Sequence, residues 1–223
     1  MIDNMPYRKQ VSLILRVLPI VATESCFALK GGTAINLFIR NMPRLSVDID
    51  LAYLPVHPRD ESLKQIDAAL KNIASKIERT ISGSKVQTTV LRGTDLAVKL
   101  LVNAADVQIK IEVTPVLRGT VFPTRMLTVA ERVQEQFGFA EIAVVSFEDL
   151  YGGKIVAALD RQHPRDLYDV RLLLANEGLT RDLFRAFLVY LISHDRPMSE
   201  IIAPKLRDIQ HEFEHGFVGM TVD

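Results

Sequence analysis

Two aspartates separated by a single residue, Asp48 and Asp50, are the sharpest candidates for chemistry in the sequence. Apolar and polar residues alternate over 47–54, which predicts a strand, and in a strand side chains i and i+2 share one face about 6–7 Å apart. Two carboxylates placed in this way can converge on a hard divalent cation such as Mg²⁺, which prefers oxygen ligands. A solvated strand face is the alternative interpretation of the same pattern.

A glycine turn precedes these carboxylates. The apolar run over 26–29 predicts a buried strand, Gly31 and Gly32 follow it, and Thr33 could cap the short helix that comes next. Backbone N–H groups at such a turn can approach phosphate oxygens, and the start of a helix favours their negative charge. A turn that needs glycine only for its positive φ would look the same in sequence.

A third carboxylate, Glu112, lies on the polar face of another alternating segment, residues 106–113. It can join Asp48 and Asp50 if its strand lies beside theirs. The alternation also fits a half-buried strand without a catalytic role. The pattern therefore permits a three-carboxylate site without requiring one.

Charged residues of the second half add Lys154 and Asp166, with Asp169 one helical turn beyond. Taken alone, such charges fit a surface salt bridge, which contributes little to stability. His211 and His215 have the i, i+4 spacing that suits a metal, but no third ligand is evident. They therefore read as a helix face.

The secondary-structure pattern divides the chain into a mixed half, ending near residue 123, and a helical half. A helix is expected from residue 7 to about 18, where Pro19 interrupts or ends it, and another over 59–79. Strands at 85–91, 96–102 and 107–113 are so closely spaced that antiparallel pairing is expected. Ser146 and Asp149 resemble a capping box that opens a helix. The remaining helices are predicted over 146–159, 164–176, 180–192 and 199–213.

Composition excludes several classes of protein. The 27 Lys+Arg balance the 27 Asp+Glu of the 223 residues, so there is no global positive field of the kind a non-specific nucleic-acid binder uses. RNA phosphates would therefore have to bind a local cluster of positive charges. The candidates for this cluster are Lys9, Arg40, Arg44, Arg161 and Arg165. The single Cys26 excludes an intramolecular disulfide. No secretory or transmembrane segment is convincing, and a cytoplasmic protein is expected.

Several blocks together resemble one family. Residues 29–37 (LKGGTAINL) and 44–51 (RLSVDIDL), followed by 149–154 (DLYGGK) and 165–169 (RDLYD), are similar to the signature of AbiEii/AbiGii-type toxins. These toxins are nucleotidyltransferases of the DNA polymerase β-like superfamily, related to the MenT toxins. The turn has Gly-Gly-Thr where many members have Gly-Ser, and Thr33 retains the hydroxyl. Gly152 and Gly153 stand where a good helix former is usual, so a kink or a later helix start is expected there.

The resemblance implies an α+β fold: a polymerase β-like nucleotidyltransferase mixed sheet with flanking helices over residues 1–125, then an α-helical C-terminal domain over 126–223 that closes the active site. It implies two Mg²⁺ ions held by Asp48, Asp50 and Glu112, with Lys154 and Asp166 as further active-site residues. Whether Asp166 contacts metal or nucleotide, or orients Lys154, stays open. The residues implied to bind the nucleotide are Gly31, Gly32, Thr33, Arg44, Ser46 and Lys154.

The function implied is a bacterial toxin that transfers nucleotides from an NTP to RNA, with a tRNA 3′ end as the acceptor, and that a cognate antitoxin neutralises. A nucleotidyltransferase with a small-molecule or protein acceptor is the first alternative. A nucleotide-binding module with a degenerate active site is the second.

Overall fold

The computed structural model describes residues 5–221, whose core is a seven-stranded sheet flanked by helices. The strands are β1 (Phe27–Lys30), β2 (Asp48–Tyr53), β3 (Lys85–Val90), β4 (Ala97–Ala104), β5 (Val107–Arg118), β6 (Arg125–Thr128) and β7 (Glu141–Val144). The helices are α1 (Met5–Val21), α2 (Gly31–Ala34) with a π-helical continuation (Ile35–Ile39), α3 (Arg59–Thr80), α4 (Glu131–Phe137), α5 (Phe147–Arg161), α6 (Pro164–Asn176), α7 (Arg181–Ile192), α8 (Met198–Ile202) and α9 (Gln210–Gly216).

The sheet is mixed, in the order β3-β4-β5-β2-β1-β7-β6. The pairs β2–β5 and β1–β7 are parallel, and the other neighbours are antiparallel. This arrangement confirms the predicted α+β class and the antiparallel pairing of β3, β4 and β5. It also places β2, which carries the two aspartates, directly between β1 and β5.

The apolar faces of α1 and α3 cover the sheet. The two helices contact each other; α1 also contacts β5 and β7, and α3 contacts β4. Their buried side chains, such as Ile14 and Leu18 of α1 and Leu70 and Ile73 of α3, recur at helical spacing and belong to one core with the strands. These two helices therefore pack against the sheet that carries the site.

Two predicted helix ends differ from the structure, and both involve proline. Pro19 does not end α1, which continues to Val21, because a proline in the last turn removes only one intrahelical hydrogen bond. The helix predicted over 199–213 is instead two short helices, α8 and α9. The break falls at Ala203, because the residue before Pro204 is disfavoured in helical geometry.

The sheet extends past residue 125, because β6 and β7 pair with each other and β7 pairs with β1. The continuous helical region therefore begins at Phe147 and not at residue 126. The division into two domains stays a prediction. Within residues 5–221, none of the helices combines the length and apolarity that a bilayer crossing requires.

Candidate active site

A cleft of about 580 Å³ opens between the end of the sheet and α5 and α6. Most of the predicted site residues meet in it. The members of the predicted set that line the cleft are Gly31, Gly32, Arg44, Ser46, Asp48, Asp50, Glu112, Lys154 and Asp166.

The register of the parallel pair β2–β5 brings the acids together. Asp50 lies opposite Glu112, and Asp48 lies opposite Lys110. The strand that carries Glu112 therefore lies beside the strand of the two aspartates, as a three-carboxylate site would require. Burial raises the pKa of Asp50, and the nearby Asp48 carboxylate raises it further, while the ammonium group of Lys30 opposes both effects.

Close packing explains the glycine pair. Gly31 has a φ of 72°, and a Cβ on it would overlap Oδ2 of Asp50 and lie 3.0 Å from that residue's own Cβ. A Cβ on Gly32 would lie 2.9 Å from both Ser46 Oγ and Arg44 Nη2. The turn therefore lets the backbone approach the carboxylate of β2 more closely than any other residue pair would allow.

Thr33 has a different role from the one predicted. It is inside α2 and not at its N-cap, which is Lys30, and its side chain is fully buried. The Thr33 hydroxyl contacts the backbone carbonyl of Asp48 and lies 3.0 Å from Ser46 Oγ. The Thr33 hydroxyl thus fixes the start of β2, and contact of Thr33 with the triphosphate stays a prediction.

Lys154 is held between two carboxylates of α6. Its Nζ lies 2.8 Å from Asp166 Oδ1 and 3.2 Å from Asp169 Oδ2, and Arg161 Nε donates to Asp166 Oδ2 at 2.5 Å. Burial alone would raise the pKa of Asp166, but the Lys154 and Arg161 charges hold it well below its usual range. Both oxygens of Asp166 are thus engaged by cations, so the geometry favours the role of orienting Lys154 over that of a metal ligand.

Arg44 is almost fully buried, at 1% exposure, and its guanidinium donates to both oxygens of Asp169, from Nε at 2.8 Å and from Nη2 at 2.6 Å. It also donates from Nη1 to the carbonyl of Leu45. Each nitrogen of the Arg44 guanidinium therefore has a partner within the protein. Ser46 is buried beside it and lines the cleft.

The Asp48–Asp50 pair is the part of the cleft that could hold a divalent cation. Asp48 and Asp50 supply carboxylate oxygens on one face of β2, but residues 5–221 contain no group of three or more His, Cys, Asp or Glu side chains that could hold a metal. Glu112, the predicted third ligand, has Oε1 at 3.3 Å from Lys99 Nζ and Oε2 at 2.9 Å from Lys110 Nζ. Both oxygens of Glu112 thus face lysines, and its role as a metal ligand, like Mg²⁺ binding itself, stays a prediction.

Lys30 and Lys110 line the cleft and were missed by the sequence reasoning. Lys110 could have been found, since it shares the polar face of its strand with Glu112. Lys30 gives no local signal, because its position depends on the pairing of β1 with Asp50 of β2. Burial lowers the pKa of Lys30, an effect that Asp50 and Glu112 oppose, and its Nζ lies 3.2 Å from Thr114 Oγ1.

The predicted cluster of cations does not form as a single patch. Lys9 pairs with Asp106 beside a separate cavity. Arg40 is bound by Glu177 through two hydrogen bonds and also contacts the Tyr151 hydroxyl. Of the five candidates, Arg44, Arg161 and Arg165 line the cleft.

Comparisons with known proteins identify a matching family model and similar folds. The family model described as nucleotidyl transferase AbiEii toxin, Type IV TA system, matches residues 13–217. A search of curated proteins finds no match. The fold is similar to MenT4, a nucleotidyltransferase toxin from Mycobacterium tuberculosis H37Rv, with a TM-score of 0.66 and 16% identity over 92% of this chain and 74% of that chain. JHP933 from Helicobacter pylori aligns with a TM-score of 0.50 and 16% identity over 87% of this chain and 86% of that one.

Proposed function

The chain belongs to the AbiEii nucleotidyl transferase toxin family, and from that premise we propose that it transfers nucleotides from an NTP to the 3′ end of an RNA, with tRNA as the acceptor. One observation carries the proposal: the Asp48–Asp50 pair, the Gly31-Gly32 turn and Lys154 line one cleft. Carboxylates, a glycine turn and a lysine within one cleft are the parts that positioning and charge compensation of a triphosphate require.

In the proposed reaction, the terminal hydroxyl oxygen of the acceptor forms a bond to the α-phosphorus of the NTP. The bond from that phosphorus to the bridging oxygen of the β-phosphate breaks, pyrophosphate leaves with the electron pair, and the hydroxyl proton passes to water. The chain's own part in this step is to align the two oxygens and to stabilise the charge that develops on the phosphates.

Each side chain has a part in this alignment. The backbone of Gly31 and Gly32 borders the triphosphate, and Lys154 supplies a positive charge whose position is fixed by Asp166. Asp48 and Asp50 would hold a divalent cation, expected to be Mg²⁺, which when bound neutralises phosphate charge and polarises the reacting oxygens. Arg44 and Asp169 keep the segment before β2 in place.

The family description places the chain in a toxin–antitoxin system, and we propose that a cognate antitoxin protein neutralises it in the cytoplasm. The acceptor RNA would reach the cleft past Arg161 and Arg165. The side chain of Arg161 is 59% exposed, so its guanidinium can meet a phosphate while Nε remains on Asp166.

Labelling of RNA tests the proposal. Purified wild type is incubated with total tRNA, Mg²⁺ and each radiolabelled NTP in turn, and the RNA 3′ ends are sequenced. We expect added nucleotides with wild type and none with Asp48→Asn, which keeps the shape and removes the charge. Asp106→Asn, a matched change outside the cleft, should label RNA as wild type does.

Cellular expression supplies the second half of the test. Growth arrest that requires Asp48 would support a catalytic toxin, whereas arrest by Asp48→Asn would indicate a nucleotide-binding module that acts without turnover. The overall charge balance of the chain, 27 against 27, keeps a small-molecule or protein acceptor as the second candidate. If the acceptor is a small molecule or a protein, parallel reactions with aminoglycosides or with cell protein would show the label in those fractions instead of in RNA.

A further inference from the structure

A cluster of lysines surrounds Glu112 on the face of the sheet that forms the floor of the cleft. Lys110 precedes Glu112 by two residues on the same face of β5, and Lys99 is its register partner on β4. Asp50 lies between Glu112 on one side and Lys30 on the other, since Lys30 pairs with Asp50 across β1 and β2. The register of the paired strands therefore fixes the positions of these residues.

Both carboxylate oxygens of Glu112 face lysines of this cluster. One carboxylate oxygen lies 2.9 Å from Lys110 Nζ and the other lies 3.3 Å from Lys99 Nζ. A metal ligated by Glu112 would place a dication beside these two ammonium groups. That arrangement is repulsive in a partly buried site.

Among residues 5–221, the contacts of Lys30 and Lys110, two lysines that line the cleft, leave donors for a ligand. An ammonium group has three donors. Lys110 directs one to Glu112, and Lys30 directs one to Thr114 Oγ1 at 3.2 Å. Lys30 also immediately precedes the Gly31-Gly32 turn, which borders the proposed triphosphate, and it lines the same cleft.

The charges of the floor balance before any metal binds. Three carboxylates and three lysines share this surface: Asp48, Asp50, Glu112, Lys30, Lys99 and Lys110. A metal held by the two aspartates and fixed ammonium groups nearby are enough to face a triphosphate with positive charge, without a second metal.

We propose that Lys30 and Lys110 bind the β- and γ-phosphates of the incoming nucleotide as fixed ammonium charges, that Glu112 is the positioning residue for Lys110, and that the cleft takes one divalent cation. This inference rests on the proposed function for the identity of the ligand as a nucleoside triphosphate. It differs from the two-metal expectation because Glu112 is assigned to lysines and not to a metal.

Inorganic tripolyphosphate and Mn²⁺ are the probes, because they report on the phosphate and metal sites without a nucleobase or an acceptor. Calorimetry on the full chain measures tripolyphosphate affinity, and electron paramagnetic resonance counts bound Mn²⁺. We expect one Mn²⁺ per chain in wild type and in Glu112→Gln. Lys30→Met and Lys110→Met should weaken tripolyphosphate binding by about tenfold or more, as expected for a lost charge-assisted hydrogen bond.

Matched variants separate this effect from misfolding. Lys71→Met removes an exposed ion pair with Asp67 on α3, outside the cleft, and should bind tripolyphosphate as wild type does. Lys110→Arg keeps the charge and should retain most of the affinity. If Lys30→Met fails to fold, the comparison of Lys110→Met with Lys110→Arg tests whether a lysine charge in the cleft binds tripolyphosphate.

Two results would overturn the inference: two Mn²⁺ per wild-type chain that fall to one in Glu112→Gln, or lysine variants that bind tripolyphosphate as tightly as wild type. Neither result depends on an acceptor. If RNA labelling fails while lysine-dependent tripolyphosphate binding is observed, the acceptor assignment is wrong and the lysine assignment stands.

Discussion

The Arg44 guanidinium and the Asp169 carboxylate form a bidentate pair, with Nε at 2.8 Å and Nη2 at 2.6 Å from the two carboxylate oxygens, and both side chains are buried. Arg44 belongs to the segment just before β2, and Asp169 belongs to α6. Because Asp169 also lies 3.2 Å from Lys154 Nζ, one buried carboxylate joins the sheet, α6 and the lysine of α5.

Removing that carboxylate's charge should destabilise the protein strongly. Asp169→Asn leaves Arg44 buried without its counter-ion, and losing one partner of a buried pair costs about 3–5 kcal/mol. Urea denaturation followed by circular dichroism measures the free energy of unfolding. The control is Asp182→Asn, whose exposed pair with Arg185 is worth at most about 1 kcal/mol. An equal loss of unfolding free energy in Asp169→Asn and Asp182→Asn would contradict the structural role of Asp169.

Gly31 can be tested against another glycine with the same backbone conformation. Gly31 and Gly83 both have a φ of 72°, but a Cβ on Gly31 would overlap the Asp50 carboxylate, whereas a Cβ on Gly83 would have no heavy atom within 4 Å. Both alanine variants should lose about 1–2 kcal/mol of stability from the left-handed conformation. Only Gly31→Ala should also lose activity, by about 100-fold, because it displaces Asp50.

The comparison is made on folded protein, by measuring nucleotide transfer at a temperature well below both unfolding transitions. Activity that falls equally in Gly31→Ala and Gly83→Ala would show that backbone strain, and not the approach to Asp50, is responsible.

Much of the site was predictable because it depends on short-range patterns. Alternation placed Glu112 on a polar face, and the strand pairing put it beside Asp50. The Ser146 cap was also predictable, since Ser146 Oγ accepts from the Asp149 backbone N–H and α5 begins at Phe147. Periodicity and capping are local properties, and they agree here with the tertiary structure.

Other features depend on contacts between distant segments and could not be predicted. Thr33 is an acceptable N-cap residue by type, but the approach of β2 gives its hydroxyl a different partner, Asp48. Whether Arg44 meets a nucleotide or Asp169 is decided by the packing of α6, 125 residues away. The glycines of α5 were expected to kink that helix or delay its start, and the helix is instead continuous from Phe147 to Arg161.

The free energy of unfolding should depend on pH through the ionisation of Asp166. Its pKa is below the usual value in the folded protein, so its contribution to stability is complete above the unfolded pKa of about 3.9 and is lost as pH falls toward the folded value. The difference in unfolding free energy between wild type and Asp166→Asn should therefore be largest above about pH 4 and narrow below it. Urea denaturation at pH 7, 5, 4 and 3 measures this difference, and a constant difference would contradict the ion-paired state of Asp166.

Gly152 should tolerate alanine poorly although it lies inside a helix. Replacing a helical glycine by alanine ordinarily stabilises by about 1 kcal/mol. Here a Cβ on Gly152 would lie 2.8 Å from the Phe187 backbone nitrogen, so α5 and α7 would have to separate, at a cost of about 1–3 kcal/mol for overpacking. Gly153→Ala is the comparison, because its nearest neighbour is the Tyr190 ring at 3.2 Å, which can shift more easily than backbone. Thermal and urea unfolding should show a net loss for Gly152→Ala that exceeds any loss for Gly153→Ala. A gain for Gly152→Ala would mean that the two helices do not pack this closely.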